Sequence, residues 1–218
     1  MVTGGCQPWG EPVFVRALSA SARCRDPVFR SWHHGRMGTK VAEVVRFEST
    51  VGAVGATTLV RLPQKASQAL PSRGQVNVKG TINGHAFETV LEPDGLRGHW
   101  IRVPAELESA ASLAVGSTVT VAVEPAPEWP EPEVPDDLAE ALAAASTDVQ
   151  ETWDDITPMA RWEWVRWVNA TANPATRERR VEVSISKMEG GKRRPCCFDL
   201  SACTDPSVSK GGKLLADD

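Results

Sequence analysis

The stretch "KGTINGHAFETVL", residues 79–91, decides the fold of the first half of the chain. Two runs of alternating polar and apolar residues flank Asn83-Gly84, a pair that tolerates the positive φ angles of a type I′ turn. Because side chains alternate between the two faces of a strand, the first strand has one apolar face, formed by Val76, Val78 and Ile82. The stretch therefore predicts a β-hairpin with one buried face.

Six short segments between Val41 and Pro125 share this alternation, at 41–50, 57–63, 75–82, 85–91, 98–104 and 117–125. They are rich in β-branched residues and are separated by glycine, proline and asparagine, as strands usually are. Between the last two segments, the sequence predicts a short helix that begins after Pro104 and ends near Gly116. Six strands predict a small closed or partly open β-barrel, because closure removes exposed strand edges.

The composition changes after residue 125. The stretch "PAPEWPEPEVPDD" predicts an extended, solvated linker, and Pro135 with the two following acids suits the first turn of a helix. Thr157-Pro158 and Asn173-Pro174 are further helix starts, with a capping side chain before a proline. Although "RVEVSIS" alternates like a strand, the start at Asn173 and the stop at Gly190-Gly191 favour one helix of about 16 residues.

The predicted fold class is therefore α+β, a small six-stranded β-barrel followed by a small all-α domain. We divide the chain into five parts. These are a disordered leader or misassigned start at 1–39, the barrel at 40–125, an acidic proline-rich linker at 126–134, the helical domain at 135–191, and a flexible basic tail with cysteines at 192–218.

The stretch "RWEWVRW", residues 161–167, places three tryptophans and two arginines in one predicted helix. At 100° per residue, Trp164 and Trp167 fall on the apolar arc of that helix, which indicates packing in a small core. Trp162 lies away from the arc, beside Arg166.

Basic residues of the last two predicted helices suggest a surface for an anionic small molecule or peptide, held by charge-assisted hydrogen bonds. The alternative is a solvated charged face, since the same helices carry Glu163, Glu178 and Glu182. Residues 138–191 hold six basic and nine acidic side chains, which argues against general nucleic-acid binding. Weak nucleic-acid binding through the Arg-Trp helix, with a steep dependence on salt, stays as a third hypothesis. The candidate ligand-binding residues are Arg161, Trp162, Arg166, Thr176, Arg177 and Arg180.

A second hypothesis is an enzyme with a site at the barrel mouth, where His85 or His99 would act as acid or base near Arg61 and Trp100. No phosphate loop, nucleophile elbow or dinucleotide fingerprint occurs in the sequence. We therefore favour a non-enzymatic binding protein without a cofactor, and we assign no catalytic residue.

The five cysteines predict neither a disulfide framework nor a metal site. Their number is odd, and no export signal is evident. Adjacent Cys196 and Cys197 are poorly spaced to hold one ion, and Cys203 follows without a nearby histidine. Thiols near Arg193 and Arg194 are either idle or reactive.

The net charge of -4 gives no general attraction to nucleic acid or to anionic membranes. No stretch is apolar enough to span a bilayer, and "PVFVRAL" is interrupted by Arg16, so we expect a cytoplasmic protein.

Several motifs also resemble known families. Over residues 47–125, "LVRLP", "GTINGHAF", "LEPDG" and "HWIRVP" resemble a small bacterial β-barrel domain of unknown function. "VPDDLAEAL", "RWEWVRWV" and "NPATRERRVEVSISKMEGGK" resemble the YdeI/OmpD-associated, bacteriocin-protection helical domain. The resemblance implies a bacterial cytosolic protein linked to tolerance of antimicrobial peptides or other stress, and it implies no particular reaction or ligand.

Overall fold

The computed structural model describes residues 43–196 and 199–217. Its first part is a closed barrel of six antiparallel strands in the order β1-β2-β5-β4-β3-β6, which confirms the predicted architecture. The strands are β1 (Val45–Val54), β2 (Thr57–Arg61), β3 (Val76–Ile82), β4 (His85–Pro93), β5 (His99–Arg102) and β6 (Thr118–Pro125). The predictions for residues 1–39 and for Cys197 lie outside the described residues.

The hairpin of β3 and β4 forms as its turn residues predict. Asn83 and Gly84 have φ angles of 48° and 84°, and Ile82 pairs with His85 across the turn. The apolar face of β3 points into the barrel and is buried. Valine, leucine and isoleucine side chains from all six strands fill the interior, which is therefore a packed core.

Two short helices cover the ends of the barrel. The helix predicted after Pro104 is α2 (Ala105–Ala110), which ends earlier than expected. Leu107 of this helix and Leu113 after it are buried in the barrel core. The other helix, α1 (Gln64–Gln68), was not predicted. Five residues are too few to show a helical period.

Four helices follow, namely α3 (Asp136–Ala143), α4 (Thr147–Asp155), α5 (Pro158–Asn169) and α6 (Pro174–Glu189). Both predicted caps are present, since Thr157 Oγ1 accepts from the Ala160 N–H at 3.3 Å and Asn173 Oδ1 accepts from the Thr176 N–H at 3.0 Å. The ambiguous segment is a single helix of 16 residues, as the bracketing signals indicate.

The core of the helical domain is built around Trp164, which is fully buried. Trp167 packs edge-on against it, with 6.1 Å between the ring centroids. The interpretation of these two tryptophans as core residues is confirmed. Trp162 is half-buried, and its Nε1 donates to the Pro130 carbonyl at 2.8 Å.

The C-terminal segment, residues 199–217, differs from the flexible tail that the sequence led us to expect. It forms a small hairpin of β7 (Ser209–Lys210) and β8 (Lys213–Leu214) and packs on the outside of the barrel. Cys203, Val208 and Leu214 are buried there. Three apolar residues at irregular spacing in a polar, glycine-containing sequence leave no period, which is why the packing was missed.

Candidate functional site

A cleft of about 420 Å³ lies between the barrel, α5 and the C-terminal segment. It brings together candidate residues from both halves of the chain. Trp100 of β5 lines it with Trp162, Arg166 and Arg177 of the helical domain. Its other charged lining residues are Arg102, Glu92 and Asp205, so cations and carboxylates are nearly balanced in this cleft.

The side chain of Arg166 is buried inside the fold. Its Nε donates to Glu92 Oε2 at 3.1 Å, its Nη1 donates to the Leu200 carbonyl at 3.2 Å, and its Nη2 donates to the Ala202 carbonyl. One guanidinium therefore joins β4, α5 and the C-terminal segment.

Two carboxylates lie near this guanidinium, namely Glu92, which is partly buried, and Glu163, which is buried. Burial raises the pKa of Glu92, although the charge of Arg166 and a hydrogen bond from Gln75 oppose the shift. Burial likewise raises the pKa of Glu163 on α5, with Arg194 and Arg166 opposing it. Both carboxyl groups thus hold their protons to a higher pH than in an unfolded chain.

Arg161 closes the end of α4. It donates to the carbonyls of Trp153, Asp154 and Ile156 at 3.1, 3.1 and 2.9 Å, and its Nη1 lies 2.8 Å from Glu131 Oε2 in the linker. A cation stabilises the exposed carbonyls at a helix C-terminus. Arg161 therefore provides hydrogen-bond donors for the backbone carbonyls at the C-terminal end of α4, and its pair with Glu131 holds the linker against the helical domain.

Arg177 ties α6 to the start of α3. It makes a bidentate pair with Asp137, with Nε–Oδ2 at 2.6 Å and Nη2–Oδ1 at 2.9 Å, and it donates to Asn169 Oδ1 at 2.8 Å. These hydrogen bonds from Arg177 lower the pKa of the Asp137 carboxyl.

Arg180 differs from these three arginines. Its Nη1 donates to the Trp167 carbonyl at 2.7 Å, and its guanidinium carbon lies 5.6 Å from the centroid of the Trp167 ring. Among the described residues, no carboxylate lies within ion-pair distance of Arg180. Partial burial lowers its pKa, because desolvation disfavours the charged form.

Arg180 forms one wall of a groove of about 310 Å³ on the surface of α6, which we call the Trp167 groove. Thr176 lies in the same groove, and its hydroxyl donates to Asn173 Oδ1 at 3.3 Å. The lining residues that the structure describes carry positive charge and no carboxylate. They are Trp167, Ala175, Thr176, Arg179, Arg180 and Val183.

The four barrel-mouth candidates do not converge. His85 is exposed at the end of the hairpin, whereas His99 is buried, with its Nε2 2.9 Å from the Gly74 carbonyl. Burial lowers the pKa of His99. Arg61 lies outside the barrel and pairs with Asp217 at 2.8 Å, and Trp100 is fully buried beneath the C-terminal segment. Neither imidazole lines the cleft beside α5, and apolar side chains fill the interior of the barrel.

The described cysteines differ in environment. Cys196 is exposed, with Lys187 Nζ 2.9 Å from its sulfur, whereas burial raises the pKa of the Cys203 thiol. Within residues 43–196 and 199–217, no group of three or more histidine, cysteine or acidic side chains could hold a metal ion. None of the helices in these ranges is long and apolar enough to cross a membrane.

Sequence reasoning missed Arg102 and the whole outer surface on which the C-terminal segment lies. A signal was available in Leu59-Val60 and Trp100-Ile101, where consecutive large apolar residues interrupt the alternation. Consecutive apolar residues indicate strands that are covered on both faces. Val60 and Ile101 face the barrel interior, while Leu59 and Trp100 face the C-terminal segment.

Comparison with known families confirms the resemblance in both halves. Residues 42–123 match the family model of the domain of unknown function DUF1905. Residues 131–191 match the family model described as Bacteriocin-protection, YdeI or OmpD-Associated. No curated protein matches the chain. The barrel and the four helices thus correspond to the two matched domains, and the C-terminal segment lies outside both.

Proposed function

We propose that this chain, in which a DUF1905 barrel precedes a YdeI/OmpD-associated helical domain, is a non-enzymatic binding protein. It holds an anionic group of a small molecule or peptide in the Trp167 groove. The second domain suggests a bacterial function of the bacteriocin-protection type. We place this function in the cytoplasm, as part of tolerance to antimicrobial peptides or other stress.

The observation that carries the proposal is that Arg180, which is partly buried, has no carboxylate partner among the described residues. Three of the six candidate residues, Arg161, Arg166 and Arg177, already have carboxylate partners in the folded chain. An anion gains little where a carboxylate is already bound, and it gains most where a partly buried cation has none. Of the candidate ligand-binding surface, only the groove beside Arg180 therefore remains as the proposed anion site.

The groove has the components of a small anion site. Only the Nη1 group of Arg180 has a hydrogen-bond partner among the described residues, so its remaining N–H groups can form a bidentate pair with a carboxylate or phosphate. Exposed Arg179 adds a second charge at the rim. Lys187 Nζ, which contacts the Cys196 sulfur, lies 5.4 Å from the centroid of the Trp167 ring, so a third positive charge is near the groove without lining it. The ring of Trp167 supplies an apolar floor for the carbon part of the ligand.

The test is calorimetric titration of the full chain with two probes, inorganic phosphate and N-acetyl-tetraglutamate, at low salt. We expect both probes to bind, and Arg180→Gln to weaken their binding by about 10- to 150-fold, the worth of a hydrogen bond to a charged group. Arg46→Gln is the matched control, because Arg46 is an exposed arginine of the barrel that lies outside the groove.

Equal loss of affinity in the two variants would show general charge attraction and would refute the groove as the site. Absence of binding by the unaltered chain to both probes would do the same. The enzyme hypothesis would need an imidazole that reaches a cleft, and neither His85 nor His99 lines the cleft beside α5 or the Trp167 groove.

A further inference from the structure

The C-terminal segment contacts the outer face of the barrel through buried apolar side chains and through two ion pairs. We infer that the outer face of β2 and β5 is a docking surface for a peptide in which an apolar residue and a carboxylate stand three positions apart. The C-terminal segment is the resident occupant of this surface, and a partner segment of the same chemistry displaces it.

The segment carries this pattern twice, in opposite order. In "DPSV", Asp205 accepts a hydrogen bond from Arg102 Nη2, and Val208 is fully buried. In "LLAD", Leu214 is buried, and Asp217 Oδ1 accepts from Arg61 Nε at 3.2 Å and from Nη2 at 2.8 Å.

The barrel supplies the complementary surface. Arg61 of β2 and Arg102 of β5 present their guanidinium groups to the two carboxylates. Between these arginines, Val54, Leu59 and Trp100 form an apolar strip that receives the buried residues of the segment. Charge at the two ends and an apolar centre are the usual anatomy of a peptide-binding surface.

Two glycines shape this surface. A side chain at Gly52 of β1 would begin 2.5 Å from Asp217 Oδ2, and one at Gly95 would begin 1.8 Å from the Gly212 carbonyl oxygen. Both positions lack a side chain where the segment passes, so the barrel accommodates its backbone closely.

The segment is nevertheless not part of the barrel sheet. Its hairpin makes its own backbone hydrogen bonds, such as Cys203 N–H to the Gly212 carbonyl at 2.8 Å. Of the backbone–backbone hydrogen bonds in the described ranges, one joins the segment to the barrel, from Leu214 N–H to the Asp94 carbonyl at 2.8 Å. Side chains provide the remaining attachment, and a segment held in this way can open without unfolding the barrel.

Displacement would also open the cleft beside α5. Thr204, Asp205 and Pro206 form part of the wall of that cleft, with Arg102 opposite.

The experiment measures binding of a fluorescent peptide of residues 199–217 to the full chain by anisotropy, under reducing conditions. In the unaltered chain, the tethered segment competes at an effective concentration of about millimolar, so we expect weak binding. Asp205→Asn with Asp217→Asn loosens the tethered segment and leaves the barrel surface intact. Two partly exposed ion pairs are worth about a 3- to 30-fold gain in affinity for the peptide.

Two controls distinguish docking from a general charge effect. Asp199→Asn removes the same charge from the segment, but Asp199 bonds to Ser201 inside the segment, so we expect no gain. Adding Arg102→Ala to the loosened variant removes a contact from the surface, and we expect it to abolish much of the gain. Thermal unfolding of each variant checks that the barrel remains folded.

A loosened variant with no gain over Asp199→Asn, or a gain that survives the loss of Arg102, would overturn the proposal. Hydrogen exchange on the unaltered chain is an independent test that needs no variant. We expect the amides of 199–217 to exchange faster than those of β2 and β5, and equal protection would show that the segment is an integral part of the barrel.

Discussion

Four arginines of the helical domain are equal candidates for ligand binding in the sequence, but they have different roles in the fold. Arg161 satisfies helix carbonyls, Arg177 pairs with Asp137, and Arg166 is only 6% exposed, whereas Arg180 has an aromatic ring and a carbonyl as its neighbours. The role of each guanidinium is set by the acceptors around it. Sequence reasoning could therefore identify arginine as the residue type of the candidate site. It could not show that Arg180 is the arginine without a carboxylate partner among the described residues.

At the same scale, Glu163 predicts a pH dependence of stability. Burial raises the pKa of Glu163 above its ordinary value of 4.5, so the folded chain binds this proton to a higher pH than the unfolded chain does. Its contribution to the free energy of unfolding is therefore most favourable below pH 4.5 and declines as the pH rises through the raised pKa.

We expect Glu163→Gln to flatten this decline between pH 5 and pH 7.5 and to increase the free energy of unfolding at pH 7.5. The measurement is urea unfolding at both pH values. Glu178→Gln is the control, because Glu178 is exposed on α6. Identical pH slopes for the two variants would contradict the prediction.

At the scale of single elements, local signals were sufficient for the helix caps and for the hairpin turn. Thr157-Pro158 and Asn173-Pro174 begin α5 and α6, and Asn83-Gly84 turns the hairpin, because each pair acts on its own backbone. The alternation in "RVEVSIS" would predict a strand if it were considered without the helix cap at Asn173. Val181, Ser184 and Met188 are the buried positions of α6, at spacings of three and four.

The cap of α6 can be tested directly. Asn173→Ala removes the acceptor of the Thr176 N–H, and we expect the free energy of unfolding to fall by about 0.5–2 kcal/mol. Asn173→Asp retains the acceptor and should cost much less. Urea unfolding of the two variants gives the comparison, and equal losses would show that the side chain does not cap the helix.

At the scale of the whole molecule, Arg166 is the contact on which several elements depend. It joins α5 to Glu92, which lies 74 positions earlier in the chain, and to carbonyls of the C-terminal segment. Removal of one member of a buried ion pair costs more than removal of both, because the remaining charge has no partner.

We expect Arg166→Met to lower the free energy of unfolding by about 3–5 kcal/mol. The double variant Arg166→Met with Glu92→Gln should recover a substantial part of this loss. A double variant as unstable as the single one would mean that Arg166 acts through its backbone-carbonyl contacts and that the pair with Glu92 contributes little.

The sequence by itself determined the six strands, the hairpin turn and the starts of α3, α5 and α6, but not the break that separates α3 from α4. Each of these rests on interactions within a few residues, namely a side-chain period, a positive φ or a capping oxygen. Only the tertiary structure decided the strand order β1-β2-β5-β4-β3-β6 and the pairing of Arg166 with Glu92. It also decided that Arg180 has N–H groups without an acceptor among the described residues, and that the C-terminal segment packs on the barrel. These features depend on which distant surfaces meet, and the residues that form them show no local pattern from which the meeting could be inferred.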